Sequence, residues 1–190
     1  MKTLEERIIK DGVVGAKDVL KVDGFLNQMM DTKLYTECAK EWHRLFADAG
    51  VTKILTVEAS GIGLACMTAN EFGVPALFAK KSAGTGTKRD LYSAEVVSFT
   101  HGLEYDITVP KKFISSDDKV LIIDDFLANG STLKALIALV KHAKAEVVGI
   151  GVAIEKSYKG GGNEIRSYGY RVEALAKIKA IEKDKTIVFE

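Results

Sequence analysis

The densest run of reactive side chains is Val120-Leu-Ile-Ile-Asp-Asp-Phe-Leu-Ala-Asn-Gly-Ser-Thr132. Residues 120–123 are apolar and predict a buried central strand, which delivers Asp124 and Asp125 to its carboxyl end, the edge where open α/β sheets bind ligands. Ala128, Asn129, Gly130, Ser131 and Thr132 then form a short loop ahead of a helix, whose free N–H groups and dipole favour an anion. Such a loop is shaped to hold a phosphate monoester. Adjacent carboxylates would repel that phosphate on contact, so they suit sugar hydroxyls, or a Mg²⁺ that the phosphates also coordinate. Phosphate, polyol and metal together point to a phosphorylated sugar.

A second candidate is Glu58-Ala-Ser-Gly-Ile-Gly63, between a strand and a helix. As Gly-x-Gly it invites a dinucleotide-binding reading. However, Cys66 occupies the third glycine position, and Lys80 and Lys81 stand near the spacing where an acid should bind ribose. The loop reads better as backbone N–H groups turned toward an anion. Lys80 and Lys81 close the next strand, and Lys88 and Arg89 lie in the Gly- and Thr-rich segment 82–90, read as a mobile loop. These cations either neutralise a leaving anion or form a solvated strand end.

The elements that must position these groups follow from periodicity. Leu4, Ile8 and Ile9 predict a short helix over 2–11, stopped by Gly12. Leu34, Cys38, Trp42, Leu45 and Phe46 share one face of a helix over 33–49, with Asp31 or Thr32 as cap and Gly50 as terminator. Strands are predicted at 53–57, 74–79, 120–123 and 147–154, separated by helices at 63–72 and 131–143. They form two βαβ units of a parallel sheet. Residues 92–99 and 103–109 alternate as a hairpin attached to that sheet. A glycine-rich turn at 159–162, a short helix from Glu164 and a terminal strand at 186–189 complete the chain. The class is α/β, in one domain, for 190 residues with 47% hydrophobic and 28% charged content.

Composition excludes several functions. Lys and Arg number 27 against 26 Asp and Glu, a net charge of +1 that argues against wrapping duplex nucleic acid. No apolar run approaches a membrane span, and the charged start Met1-Lys-Thr-Leu-Glu-Glu-Arg lacks a signal-peptide core, so a cytoplasmic address is expected. Cys38 and Cys66 stand apart and are read as reduced and partly buried, with neither a disulfide nor a zinc site. His43, His101 and His142 are scattered without metal-ligand spacing, and none is read as catalytic.

The apolar strand, acid pair, three intervening residues, Asn-Gly, Ser and Thr resemble the 5-phosphoribosyl-1-pyrophosphate (PRPP) binding motif of the type I phosphoribosyltransferases. Asn129 stands where that motif usually has Thr; its amide still donates to a phosphate oxygen. Val19-Leu-Lys-Val-Asp-Gly-Phe-Leu-Asn27 and Gly151-Val-Ala-Ile-Glu-Lys156 extend the resemblance over nearly the whole chain, toward the members of that family that act on xanthine. The resemblance implies a central, mainly parallel sheet flanked by helices, a mobile loop with its hairpin, and a hood contributed by about 1–32 and 155–190.

It also implies that Asp124 and Asp125 are catalytic, that Ala128 to Thr132 bind PRPP, and that Ala59, Ser60 and Gly61 hold pyrophosphate. Leu20, Asn27 and Lys156 then face xanthine, whose oxo groups accept from an amide and an ammonium. Without the resemblance, Asn27 reads as a loop or capping residue and Lys156 as a surface lysine. Further implications are a homodimer, Mg²⁺ bound mainly through PRPP with no dedicated metal site, and partners limited to small molecules. The alternatives are salvage of hypoxanthine, guanine or adenine, or a PRPP-sensing regulator of the same fold. At the place where some purine enzymes of the family have an acid serving as general base, this chain has Ala128.

Overall fold

The computed structural model describes residues 1–16, 19–82, 88–98 and 103–190, with backbone alone for Lys88, Ser98, Leu103 and Glu104. His101 and most of the segment expected as a mobile loop fall outside the described residues. The first elements are α1 (Lys2–Asp11), β1 (Val13–Val14), β2 (Leu20–Lys21), a π-helical turn (Asp23–Asn27), α2 (Thr32–Leu45), β3 (Lys53–Val57) and α3 (Gly61–Phe72). There follow β4 (Ala76–Ser82), β5 (Leu91–Ser98), β6 (Leu103–Pro110), β7 (Lys119–Leu127) and α4 (Ser131–His142). The chain ends in β8 (Glu146–Lys156), α5 (Gly161–Ser167), β9 (Val172–Ile181) and β10 (Ile187–Phe189).

Eight strands make one sheet in the order β10-β9-β8-β7-β3-β4-β6-β5. From β9 to β4 neighbouring strands pair in parallel, whereas β10 and the β5–β6 hairpin add antiparallel edges. Helices cover both faces, as a buried parallel sheet requires. One apolar layer joins α1, α2 and α3 to Ile54, Leu121 and Ile123, and includes Leu20 and Leu26 from the N-terminal segment. The other joins α4, Ile165 of α5 and the hairpin to Leu55, Ile122 and Val152. The α/β class and both βαβ units match the sequence reading.

Several boundaries differ. The acid pair was placed just past a strand ending at Ile123, but β7 runs on to Leu127, because β8 is long enough to pair with it through Leu127↔Glu155. The second helix was expected to reach Gly50. It stops at Leu45, whose carbonyl accepts from Arg171 Nη2 at 2.7 Å, a capping contact from 126 residues away. Residues 172–181, assigned with the hood, form β9 inside the main sheet, and β10 pairs with it. Cys38 is buried as expected, Cys66 is exposed, and both are free thiols.

The α2 layer meets the sheet closely at β8. A β-carbon on Gly149 would lie 2.8 Å from Cδ1 of the buried Phe46 ring. Gly149→Ala is therefore expected to lower unfolding free energy by about 1–3 kcal/mol through overpacking. Urea denaturation tests this, and an unchanged midpoint would show that Phe46 moves aside freely.

Candidate functional site

The site opens where β3 stops. Its register with β7 covers Lys53 to Leu55 against Val120 to Ile122, so the carboxyl end of β7 has a strand on the β8 side only. Asp124 and Asp125 stand in that opening, 4% and 8% exposed. The Asp125 N–H donates to Asp124 Oδ1 at 3.0 Å. Burial, and then the neighbouring Asp125 charge, push the Asp124 carboxyl well above its ordinary value, while the Lys81 charge opposes the rise.

The loop expected to hold pyrophosphate lies against this pair. Ala59 and Ser60 precede Gly61, the first residue of α3, and the Glu58–Ala59 peptide is cis. A β-carbon on Gly61 would be 3.3 Å from Asp124 Oδ1 and would overlap Thr56 Oγ1. Glycine at 61 is therefore what lets the loop approach the acids. The Thr56 hydroxyl is buried with no hydrogen-bond partner. Glu58 Oε1 accepts from the Lys81 N–H at 2.7 Å, tying the loop to the end of β4.

Ala128, Asn129, Gly130, Ser131 and Thr132 line a cavity of about 310 Å³, together with Val96, Tyr105, Phe126, Leu127 and Leu133. Gly130 sits at φ +75°, a left-handed value that favours glycine, and its carbonyl accepts the N–H of Lys134 to start α4. The candidate phosphate loop is thus a concave turn leading into a helix N-terminus. Of the two lysines ending β4, Lys81 lies over the Tyr105 ring at 5.5 Å and bears on Asp124, whereas Lys80 lies over Phe78.

The three residues expected at the base occupy the face of the sheet carrying α2. Leu20 is buried in that layer, and Phe126 packs against the same layer. Lys156 Nζ lies 5.7 Å from the Phe126 ring centre. Asn27 ends the π-helical turn with its Oδ1 buried and unpartnered, an acceptor awaiting a donor. Tyr35, which the sequence reading missed, joins these groups: its hydroxyl donates to the Leu26 carbonyl, and its phenol is pushed up to about 12 by burial and then by Asp125. Its helical spacing from Cys38 and Trp42 signals only a core position.

Among the described residues no group of three His, Cys, Asp or Glu converges on one point. The Asp124 and Asp125 carboxylates are hard oxygen donors of the type that suits a divalent cation. No helix is long and apolar enough to cross a membrane among the described residues.

This fold and site define a class. Residues 23–183 match the phosphoribosyl transferase domain model, and the chain belongs to the phosphoribosyltransferase family. Within it, relatives matched over nearly their whole length include xanthine phosphoribosyltransferases. That of Clostridium novyi is 48% identical over 98% of both chains, and that of Lachnoclostridium phytofermentans 49% identical over 100% of this chain and 98% of its own. Solved adenine phosphoribosyltransferases share the type I fold. The Giardia lamblia enzyme complexed with 9-deazaadenine superposes with a TM-score of 0.78 at 20% identity, covering 93% of this chain and 98% of that one. The Trypanosoma brucei enzyme does so with a TM-score of 0.78 at 18% identity, covering 96% and 82%.

The raised Asp124 carboxyl makes a prediction about pH. In the folded chain this group holds its proton to higher pH than in the unfolded chain, so wild-type stability falls as pH rises between the two values. Asp124→Asn removes that charge and is expected to be more stable than wild type at neutral pH. The advantage should fade as pH falls toward about 4, the ordinary aspartate range. Denaturation of both proteins across pH checks this, and parallel stability curves would contradict it.

Proposed function

We propose that this protein transfers the 5-phosphoribosyl group from PRPP to N9 of xanthine, releasing pyrophosphate and giving xanthosine 5′-monophosphate. The protein is a purine-salvage glycosyltransferase. What carries this reading is near-48% identity to xanthine phosphoribosyltransferases over almost the whole chain, joined to an acid pair beside a phosphate-sized cavity.

The residues divide the work. The backbone of Ala128 to Thr132 and the α4 N-terminus hold the 5′-phosphate. Asp124 and Asp125 accept the ribose hydroxyls, and their charge favours the cation that develops on the ring as the anomeric C–O bond breaks. Ala59, Ser60 and Gly61 turn backbone amides to the departing pyrophosphate, with Lys81 nearby. N9 then bonds to the anomeric carbon and its proton is lost to solvent, since Ala128 supplies no base. Mg²⁺, if bound with PRPP beside Asp124 and Asp125, would neutralise charge on the departing pyrophosphate. Asn27 and Lys156 orient the purine, Leu20 covers it, and the segment from Met1 to about residue 32 acts as the hood. With this reading go a cytoplasmic address and a homodimer.

Pyrophosphate release with xanthine, hypoxanthine, guanine and adenine, each with Mg²⁺ and PRPP, tests the assignment. Xanthine should be preferred; equal rates with all four would refute the narrow reading. Asp124→Asn and Asp125→Asn should each lower turnover by about 10²-fold while the proteins stay folded. Full activity in both would remove the acids from the mechanism.

A further inference from the structure

The phosphate loop is held in shape from outside the site, by a contact the reaction itself does not use. Glu155 occupies the β8 position paired with Leu127, immediately before the loop, and its side chain is almost fully buried. Its carboxylate accepts two hydrogen bonds from the Arg166 guanidinium, each 2.7 Å. Arg166 also donates to the Val172 carbonyl at 3.1 Å, so β8, α5 and the start of β9 meet at one side chain. The Glu155 carboxylate raises the Arg166 pKa further.

That pair fixes α5, and α5 in turn touches the loop. The Gly161 N–H donates to the Ala128 carbonyl at 3.0 Å. A β-carbon on Gly161 would overlap that carbonyl and lie 2.6 Å from the Gly130 nitrogen. Gly162 is equally tight against the ion pair, with a β-carbon there 2.7 Å from Arg166 Nη1. Ile165 Cδ1 stands 3.0 Å from where a Gly130 β-carbon would be, and Lys134 of α4 is bonded to Glu164 at 2.6 Å. Backbone at 128–130 is therefore packed from behind by a helix that Ile165, the Lys134–Glu164 pair and the partly buried Glu155–Arg166 pair hold in place.

We propose that Glu155 and Arg166, acting through Gly161, are positioning residues that hold the Ala128–Gly130 backbone in its phosphate-binding conformation. The inference rests on the PRPP reading of that loop. Neither side chain needs to touch substrate: the pair sets where α5 sits, and Gly161 transmits that position to a loop that must present its N–H groups within a few tenths of an ångström. The prediction is selective. Loosening the clamp weakens binding of the 5-phosphate end, and spares the pyrophosphate loop on α3 and the base-facing groups on the opposite face.

The experiment compares Gly161→Ala, Arg166→Lys and Arg166→Met with wild type by steady-state kinetics, and by calorimetric titration with ribose 5-phosphate and with pyrophosphate. Wild-type turnover of PRPP with xanthine comes first, and its absence would overturn the functional reading itself. Given that turnover, Gly161→Ala should raise the PRPP KM and the ribose 5-phosphate Kd about tenfold or more, with the xanthine KM and pyrophosphate Kd changed less than about twofold. Arg166→Lys keeps the charge but not the paired geometry, and should fall between wild type and Arg166→Met. Should Arg166→Met fail to fold, Gly161→Ala and Arg166→Lys carry the test. A folded Gly161→Ala with unchanged ribose 5-phosphate affinity, or with all constants altered alike, overturns the proposal.

Discussion

Two adjacent carboxylates buried at the edge of a hydrophobic sheet are the constraint on which the rest of this site depends. Charged groups in such a place are costly unless partners meet them, and here the partners are few. The answer built into the fold is an opening. β3 ends short of β7, the chain turns away at Glu58, and α3 begins with Gly61 so that the returning backbone passes Asp124 without a side chain between. Of the two glycines that look like a dinucleotide fingerprint, Gly61 is thus explained by Asp124 and the Thr56 hydroxyl, which leave no room for a β-carbon, and Gly63 by the Tyr35 ring packed against it. On the proposed reading, the unfavourable charge is retained because sugar hydroxyls bind at this polar edge.

Strand β8 shows how the same sheet serves two purposes at once. Successive residues on a strand point to opposite faces. Lys156 lies over Phe126 on the face carrying α2 and the N-terminal segment, while Glu155, next to it, turns to α5 and binds Arg166. One residue step therefore separates the side proposed to meet the base from the side that shapes the phosphate loop. Arg166 is partly exposed but Glu155 is almost fully buried, so removing the arginine strands a buried carboxylate, at a cost approaching about 3–5 kcal/mol. That makes the pair a firm anchor for a short helix of little intrinsic stability.

The site was more legible in the sequence than its supports. Val120 to Thr132 could be read because strand, acids, glycine and hydroxyls are contiguous, and local order maps directly to local structure. Ala128 to Thr132 do line one cavity, and Gly61 does meet Asp124. What could not be read depends on distant partners. Helix α2 stops early because Arg171 takes its carbonyl and Phe46 is fixed against Gly149, neither visible from residues 33–49. Strand β9 was missed because Val172 to Ile181 mixes Ala and Lys, residues of low strand propensity, and is made a strand by its neighbours β8 and β10. The run Gly160 to Gly162 reads as a turn in isolation; its close approach to the loop appears only in three dimensions.

Near-neutral charge also takes on a different meaning once the site is assembled. A chain with 27 cationic and 26 acidic side chains has no surplus to spend on a polyanion, and the candidate phosphate loop carries no Lys or Arg at all. Its proposed means of holding phosphate are backbone N–H groups and a helix end, directional donors that need no counter-charge. Lys81, held over Tyr105, instead acts on Asp124 from the end of β4, where on the proposed reading its charge also draws phosphate toward the site. On the proposed reading, a loop without basic residues holds the phosphate through its backbone and has no cation of its own to pair with the acids at the end of β7.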